Sequence, residues 1–316
     1  MTAMPEASPL PSWFQKIARS LIAAGVPLVG FAACDCPPED HMYLIPEGDE
    51  SVAALVEACQ RPVDRQCLPL CAFVSQQHSI VHCELHTSKD GYLRVHVGSE
   101  PQCSGGRRPS RLRFAKDNAR TPVTRWLARM SQLEAASVPA FRRLASQLRH
   151  HDAPAGLVHA ARAAARDEIR HARVLRAIAS AHGAQAGSPR CPAPPKVPSL
   201  AELARANEVE GCVRESYGAL VAAHQGAVAS DVNVRTAMAA IAPDELRHAD
   251  LARAIRAWAL PQLTPAQRGR VRSAGLRELQ RLAHAPPAPE SVRERLGFPS
   301  EGVCRLMLQH LAQELV

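Results

Sequence analysis

A short motif that combines acidic, basic and imidazole side chains occurs twice in the chain, as DEIRHA and again as DELRHA. Each copy places a glutamate three residues before a histidine, which gives the pairs Glu168 with His171 and Glu245 with His248. Residues three apart lie on one face of a helix, so both side chains of a pair can reach one metal ion. Carboxylate is a hard oxygen ligand and imidazole suits iron, so the repeat predicts a site for two metal ions.

Two more glutamates precede the motif copies at matched distances. Glu134 lies 34 residues before Glu168, and Glu210 lies 35 residues before Glu245. All four lie in stripes of small and aliphatic side chains with helical spacing, which predicts that they face a protein interior. Burying an ionised carboxylate without a partner is costly, and four of them in one core would also repel one another. Bound cations are the expected counter-charge.

Four predicted helices position these residues, and they span residues 121–151, 152–183, 199–229 and 230–260. The composition favours helix because Ala, Leu, Arg and Glu are good helix formers. Thr121, which is followed by proline, and Ser199 are typical helix starts. Pro139 and Pro243 fall inside helices and are expected to kink them. Short connections make each half an antiparallel pair, and the Pro-rich segment 184–198 is long enough to cross the bundle.

Residues 121–260 resemble the ferritin-like di-iron carboxylate superfamily, which builds its site from one Glu on each of two helices and Glu-x-x-His on each of the other two. The resemblance implies a four-helix bundle and six metal ligands, namely Glu134, Glu168, His171, Glu210, Glu245 and His248. It also implies two iron ions as the cofactor, with manganese or a mixed manganese and iron pair as alternatives. The whole chain is similar to exported ferritin-like lipoproteins of high-GC Gram-negative bacteria.

The third predicted helix leaves alternatives open. Glu208 and Glu215 compete with Glu210 for the inward position. The apolar stripe and the alignment with the first helix favour Glu210. Some peroxide-reducing relatives carry an extra carboxylate, which Glu215 would supply here. Tyr217 is interpreted as a core aromatic residue, with a redox-active neighbour of the metal site as the alternative.

Two aspartates repeat together with the motif. Asp167 and Asp244 each lie four residues before a histidine, which is one helical turn away. One interpretation is that they orient the imidazole rings by hydrogen bonds, and the other is that they are solvated acids. Arg170 and Arg247 repeat as well, and they are expected to pair with acids outside the metal site.

The N-terminal segment has the three-part pattern that is typical of a secretion signal. Lys16 and Arg19 precede an apolar run, Leu21–Ala33, that ends in small residues. The run is shorter than the ~20 residues that a transmembrane helix needs. It ends in FAAC, which resembles the lipobox of bacterial lipoproteins. This resemblance implies cleavage before Cys34, a lipid on that cysteine and a place at the periplasmic face of a membrane. An ordinary signal peptide and a buried structural helix are the alternatives.

Residues 34–118 are predicted to form a cysteine-rich module with a linker. Residues 79–97 alternate polar and apolar side chains around a Gly-containing turn, which predicts a β-hairpin. Cysteines in an oxidising compartment favour disulfides, and the candidates are Cys59, Cys67, Cys71, Cys83 and Cys103. A metal site in this module is the alternative, although the sequence has no Cys-x-x-Cys pair. The segment CSGGRRPS is interpreted as a linker with solvated arginines.

The predicted organisation is a signal peptide at 1–33, the module at 34–118, a ferritin-like four-helix bundle at 119–262 and a helical extension at 263–316, in a mainly α fold. The net charge is +8, but arginines are spread along helix faces beside acids, so nucleic-acid binding is not predicted. The functional hypothesis is a membrane-anchored di-iron oxidoreductase that acts on dioxygen or peroxide, with an undefined electron donor. Metal storage and a structural bundle that has lost its metal are the alternatives, and homo-oligomerisation is left open.

Overall fold

The structure is a computed structural model, and it describes residues 10–28, 107, 112–192, 196–285 and 287–315 together with the backbone of three strands. The chain divides into two compact units. The smaller unit is residues 37–102, and the larger unit comprises residues 1–36 and 103–316. The described part of the larger unit is almost entirely helical, which confirms the mainly α fold class.

The α-helices of the described residues are α1 (Ser12–Ala23), α2 (Pro122–His150), α3 (Ala155–Ala181), α4 (Leu200–Asn207), α5 (Ser216–Val228), α6 (Val232–Ala259), α7 (Pro265–Ala283), α8 (Glu290–Leu296) and α9 (Glu301–Leu315). A π-helix, Glu208–Glu215, joins α4 to α5, and a 3-10 turn, Leu260–Gln262, follows α6. The four long helical stretches that the sequence predicts correspond to α2, α3, α4 with the π-helix and α5, and α6. Helix α8 was not predicted.

Side-chain caps explain where several of these helices begin. The Thr121 hydroxyl accepts a hydrogen bond from the backbone N–H of Thr124 at 3.1 Å. The carboxylate of Glu202 accepts the backbone N–H of Ser199 at 2.8 Å, and the Ser199 hydroxyl accepts the N–H of Glu202 in return. The side chain of Asp231 accepts two backbone N–H groups at the start of α6. Each cap satisfies backbone donors that the first helical turn leaves unpaired.

The most irregular stretch of the long helices is the π-helix. Helices α2 and α6 continue through Pro139 and Pro243. In residues Glu208–Glu215, by contrast, each backbone N–H bonds five residues back instead of four. The residues that face the interior therefore no longer recur every 3.6 residues along this stretch. The residues at its end point in a different direction from the one that the sequence pattern predicts.

Two apolar clusters fill the interior at different levels along the long helices. The first cluster contains Leu127 of α2 and Leu175 of α3. The second cluster contains Leu148 of α2 and Ala161 of α3. Along both helices, the polar residues of the repeated motif and Glu134 lie between these two levels. The polar residues are therefore enclosed by apolar side chains above and below.

Helix α1 belongs to the first apolar cluster. Its buried side chains, which share that cluster with Leu127 of α2, are Trp13, Phe14, Ile17 and Leu21. Burying an apolar side chain of this size contributes about 1.5–3 kcal/mol. This packing agrees with the alternative prediction, in which the N-terminal segment is a buried structural helix and not a signal peptide. Cleavage of a signal peptide would remove α1 and expose the apolar surface that α1 covers.

The export prediction concerns residues that are only partly described. Residues 29–36, which include Cys34, lie outside the described part of the chain, so cleavage and lipid attachment stay predictions. Among the helices that the structure describes, each is too short or too polar to cross a membrane.

The smaller unit contains a three-stranded antiparallel sheet. Its strands are β1 (Met42–Leu44), β2 (Ile80–Thr87) and β3 (Leu93–Ser99), in the order β1-β3-β2. Strands β2 and β3 pair with Leu85 opposite Val95, in the region where the sequence predicts a hairpin. The predicted turn, Cys59, Cys67, Cys71, Cys103 and the side chain of Cys83 lie outside the described residues, so the turn and the disulfides stay predictions.

Candidate metal centre

Five of the six sequence-predicted ligands converge in the interior of the larger unit. One group of potential ligand atoms, all within 4.8 Å of one another, comes from Glu134, Glu168, His171 and Glu245. A second group within the same limit comes from Glu168, Glu215 and His248. All six of these residues are buried, and Glu168 belongs to both groups. Helices α2, α3 and α6 and the end of the π-helix each contribute at least one side chain.

The carboxylate that the third predicted helix contributes is Glu215 and not Glu210. The side chain of Glu215 is fully buried, whereas Glu210 is partly exposed and lies 3.6 Å from Arg214 Nη1. The π-helix explains this correction, because its wider turns carry the inward face away from the residues at 3.6-residue spacing. In the sequence, the only indication of this change of face was that Glu208 and Glu215 remained alternatives to Glu210 for the inward position.

The ring of His171 faces carboxylates on both sides. Its Nδ1 lies 3.4 Å from Glu134 Oε2 and 3.3 Å from Glu245 Oε1, toward the interior cluster. Its Nε2 lies 3.0 Å from Asp244 Oδ2, on α6. The nitrogen that points into the cluster is therefore the one that could bind a metal ion, and the other nitrogen is held by an aspartate.

The ring of His248 repeats this arrangement from the other motif copy. Its Nδ1 lies 3.4 Å from Glu168 Oε1, and its Nε2 lies 3.4 Å from Asp167 Oδ2 on α3. The two imidazole centroids are 6.0 Å apart. Each aspartate thus contacts the histidine of the opposite helix, although the sequence spacing had suggested the histidine one turn along its own helix.

Two arginines cover the aspartates on the outer side. Arg170 Nη2 lies 2.8 Å from Asp167 Oδ1 and 2.8 Å from Asp244 Oδ2, and Arg247 also contacts both aspartates. Burial acts to raise the pKa of Asp244, but hydrogen bonds from His171 and Arg247 outweigh burial and hold that pKa well below its usual range. Both aspartates are therefore ionised acceptors, as the orienting interpretation of these residues requires.

The interior cluster leaves many polar atoms without hydrogen bonds. Within the described residues, the buried atoms without a partner include Glu134 Oε2, both carboxylate oxygens of Glu168, Glu215 and Glu245, and Nδ1 of His171 and His248. Buried polar atoms are almost always satisfied in folded proteins, and leaving one unsatisfied costs free energy. Oxygen and imidazole nitrogen are also the donor atoms that bind divalent first-row metals. The residues therefore fit a metal ion.

The electrostatics of the cluster favour bound protons when no cation is bound. Burial raises the pKa of Glu168 well above its usual range, and the nearby carboxylates of Glu134 and Glu245 raise it further. Burial and neighbouring carboxylates also raise the pKa of Glu215. Burial would lower the pKa of His171, but its hydrogen bond with Asp244 and the nearby carboxylates of Glu134 and Glu245 raise it to about 12. A metal ion that enters this cluster must displace protons.

For two other residues, Tyr217 and Arg107, the environment in the structure can be compared with the environment that the sequence predicted. Tyr217 lies in the first apolar cluster, the position of a core aromatic residue. Arg107, by contrast, was assigned to a solvated linker, yet its side chain is only 7% exposed and its Nε lies 3.9 Å from Glu215 Oε1. An Arg-Arg pair between glycines and a proline is typical of exposed segments, so the sequence carried no signal for this burial.

Comparisons of the chain with protein-family models, with characterised proteins and with solved structures found no match. The chain's own residues therefore define its class: a mainly α protein with a buried cluster of carboxylates and histidines that fits a metal ion.

Proposed function

We propose that the larger unit is a ferritin-like four-helix bundle that binds two iron ions, with manganese as the alternative metal, and reacts with dioxygen or peroxide as an oxidoreductase. The observation that carries this proposal is the set of buried oxygen and nitrogen atoms that lack hydrogen-bond partners among the described residues. Most of them belong to one cluster of four glutamates and two histidines. Without cations, an interior of this kind is costly.

The grouping of the ligand atoms supports two adjacent metal positions. Glu134 and His171 belong to one group, and Glu215 and His248 belong to the other. Glu168 belongs to both, and Glu245 Oε1 lies 3.3 Å from His171 Nδ1 and 3.7 Å from His248 Nδ1. Glu168 and Glu245 are therefore the residues that would contribute to both metal positions. The remaining residues are then one glutamate and one histidine for each ion.

The aspartates set the tautomer of each imidazole. The carboxylates of Asp244 and Asp167 accept the Nε2–H of His171 and His248, so Nδ1 is the nitrogen that would offer its lone pair when a metal ion displaces the protons of the cluster. The tautomer is inferred from these contacts. Arg170 and Arg247 keep both aspartates ionised and in place. These four outer residues thus hold the imidazoles in the orientation in which they bind metal.

A bound pair of metal ions supplies electrons and open coordination positions for the reduction of dioxygen or peroxide. The chain supplies the surroundings. The two apolar clusters lie above and below the polar residues and exclude water from them. Protons held by Glu168 and Glu215 in the metal-free centre leave when metal binds, and the buried carboxylates can take up protons that the reaction consumes.

Metal analysis of the purified protein tests the proposal. We expect the wild-type chain to contain two equivalents of iron or manganese, or to regain them after removal and reconstitution. Glu215→Gln should bind about one equivalent, because it removes a charged ligand from one group. Glu210→Gln is the matched control, since it makes the same chemical change earlier in the same π-helix, beside Arg214, and should keep both ions.

Reactivity is tested separately from binding. Rapid mixing of the anaerobic Fe(II) protein with dioxygen, and in parallel with peroxide, should give repeated turnover with one oxidant when a reductant is present. A single slow oxidation that does not repeat would indicate metal storage instead. Less than one equivalent of metal in the wild-type chain, without any gain on reconstitution, would contradict both functions and leave a structural bundle.

A further inference from the structure

Two helices, α2 and α4, hold Arg107 in a buried position. Its Nη2 donates a hydrogen bond to Asn207 Oδ1 at 2.7 Å, and its backbone carbonyl accepts one from Ser137 Oγ at 3.1 Å. The guanidinium carbon lies 5.3 Å from the centroid of the Phe141 ring. Main chain and side chain are thus both anchored to helices that carry the metal centre. Burying a guanidinium is costly, so a tightly held buried arginine points to a specific role.

The π-helix leaves space for this side chain at Gly211. A Cβ atom at Gly211 would lie 2.5 Å from Arg107 Nη2, 2.5 Å from Ala252 Cβ and 3.0 Å from Asn207 Oδ1. Contacts of that length do not occur between real side chains, and Gly211 is enclosed on more than one side. A glycine at this point of a helix therefore allows the guanidinium to reach the interior.

Arg107 approaches the metal centre without completing a hydrogen bond to it. Its Nε lies 3.9 Å from Glu215 Oε1, which is too long for a hydrogen bond. Arg107 Nε and both carboxylate oxygens of Glu215 are buried and lack hydrogen-bond partners among the described residues. Once Glu215 is ionised, as it must be to bind a metal ion, its carboxylate and the Arg107 guanidinium attract each other as opposite charges. Glu215 therefore lies between the guanidinium of Arg107 and the potential ligand atoms of Glu168 and His248.

We propose that Arg107 is a positioning residue that competes with metal for the Glu215 carboxylate and so weakens the metal position formed by Glu215 and His248. The inference rests on the proposed di-metal function. A fixed positive charge also repels a cation at that position, and the repulsion is strong because the surroundings are buried. The position formed by Glu134 and His171 does not share a ligand with Arg107. The two positions should consequently differ in affinity, and one ion should exchange more readily than the other.

A titration with Mn²⁺ tests this inference, because the electron paramagnetic resonance signal of free Mn²⁺ gives the binding isotherm without any turnover. The metal-free wild-type chain should bind two ions in two steps, the second about tenfold more weakly, as expected for one charge nearby. Arg107→Met removes the charge and should tighten the second step by about tenfold. Arg107→Lys keeps a charge and should leave the second step weak.

Gly211→Ala provides an independent variant, since the added methyl group takes the space of the guanidinium. It should tighten the second step as Arg107→Met does, and circular dichroism melting of each metal-free variant shows whether it folds. Equal affinities in the wild-type chain, or an unchanged second step in folded Arg107→Met that still binds two ions, would overturn the role of Arg107 and leave the proposed function standing. If the folded wild-type chain binds no Mn²⁺ and no iron, the proposed function itself fails.

Discussion

At the scale of single residues, each imidazole of the centre is held by the motif copy to which it does not belong. Asp244 of α6 contacts His171 of α3, and Asp167 of α3 contacts His248 of α6. A carboxylate that accepts the outer N–H of a metal-bound imidazole fixes its orientation and raises its basicity. We therefore expect Asp244 to affect metal binding although it lies outside the cluster.

We expect Asp244→Asn to weaken metal binding by about 10–100-fold, because the amide keeps the shape but loses the charge that orients His171. Titration of the metal-free variant with Mn²⁺ measures this change. Asp231→Asn is the matched control, since Asp231 Oδ2 forms a similar contact with His182 Nε2, at a distance of 2.8 Å. This contact lies away from the cluster. Asparagine is also a good N-cap, so α6 should still begin at the same point. An affinity for Mn²⁺ equal to wild type in Asp244→Asn would contradict the orienting role.

Metal binding should release protons and should strengthen as pH rises. The pKa values of Glu168 and Glu215 are raised by burial, and that of His171 is raised to about 12 by surrounding carboxylates, so the metal-free centre holds protons at neutral pH. Raising the pH removes these competitors, and the apparent affinity for metal increases. Calorimetric titration in buffers of different ionisation enthalpy counts the protons released. Binding with no proton release at neutral pH would contradict this electrostatic account.

Most residues of the buried cluster could be predicted from the sequence because the motif repeats and the apolar stripes follow helical spacing. Glu210 was predicted where the structure places Glu215. The prediction assumed 3.6 residues per turn, and nothing in the residues Glu208–Glu215 marks a π-helix by composition. Arg107 was missed for a different reason, since its burial depends on the space beside Gly211, which only the folded arrangement creates.

At the scale of helices, α1 is the element on which the sequence pattern and the packing point in different directions. Its basic residues and apolar run are typical of a secretion signal, whereas its apolar face is buried in the larger unit. Polar contacts add to this packing. Trp13 Nε1 donates a hydrogen bond to Asp250 Oδ1 at 2.7 Å, and the Arg253 guanidinium lies 3.6 Å from the Trp13 ring centroid. A cleaved signal peptide would leave these partners of α6 without α1.

We expect Trp13→Ala to lower the free energy of unfolding by about 3–5 kcal/mol, as large-to-small changes of buried aromatic residues do. Urea denaturation of the full chain measures this change. Arg19→Ala is the control on the exposed side of α1 and should stay within about 0.5 kcal/mol of wild type. Equal unfolding midpoints for Trp13→Ala and wild type would show that α1 does not stabilise the fold.

The export prediction has a separate test, which is mass spectrometry of the protein purified from its native compartment. A mass that corresponds to a chain beginning at residue 34 would support the export prediction.

At the scale of the whole molecule, the centre lies between two apolar clusters and ties together α2, α3, α6 and the π-helix. Removal of metal should therefore destabilise the fold as a whole. Metal that binds only the folded chain contributes about 2.7 kcal/mol when its concentration is 100 times the dissociation constant. The thermal midpoint should rise on addition of metal for wild type and Glu210→Gln, and much less for Glu168→Gln. The same wild-type midpoint with and without metal would contradict this coupling.

Within the larger unit, some helices were easier to predict from the sequence than others. Thr121, Ser199 and Asp231 mark helix starts by local chemistry, so α2, α4 and α6 could be located from the sequence. Helix α8 is short, seven residues, and carries too few apolar positions to show a helical period. The role of α1 could not be decided by pattern, because an apolar helix that packs and an apolar helix that targets a chain share the same composition.

The central claim is that side chains from four helical stretches hold a pair of metal ions in an apolar interior. Anomalous X-ray diffraction from crystals of the iron- or manganese-loaded protein tests it most directly. We expect two neighbouring peaks between His171 and His248, with Glu168 and Glu245 in contact with both and Glu215 in contact with one. A single surface peak, or no peak among these side chains in a metal-loaded crystal, would contradict it.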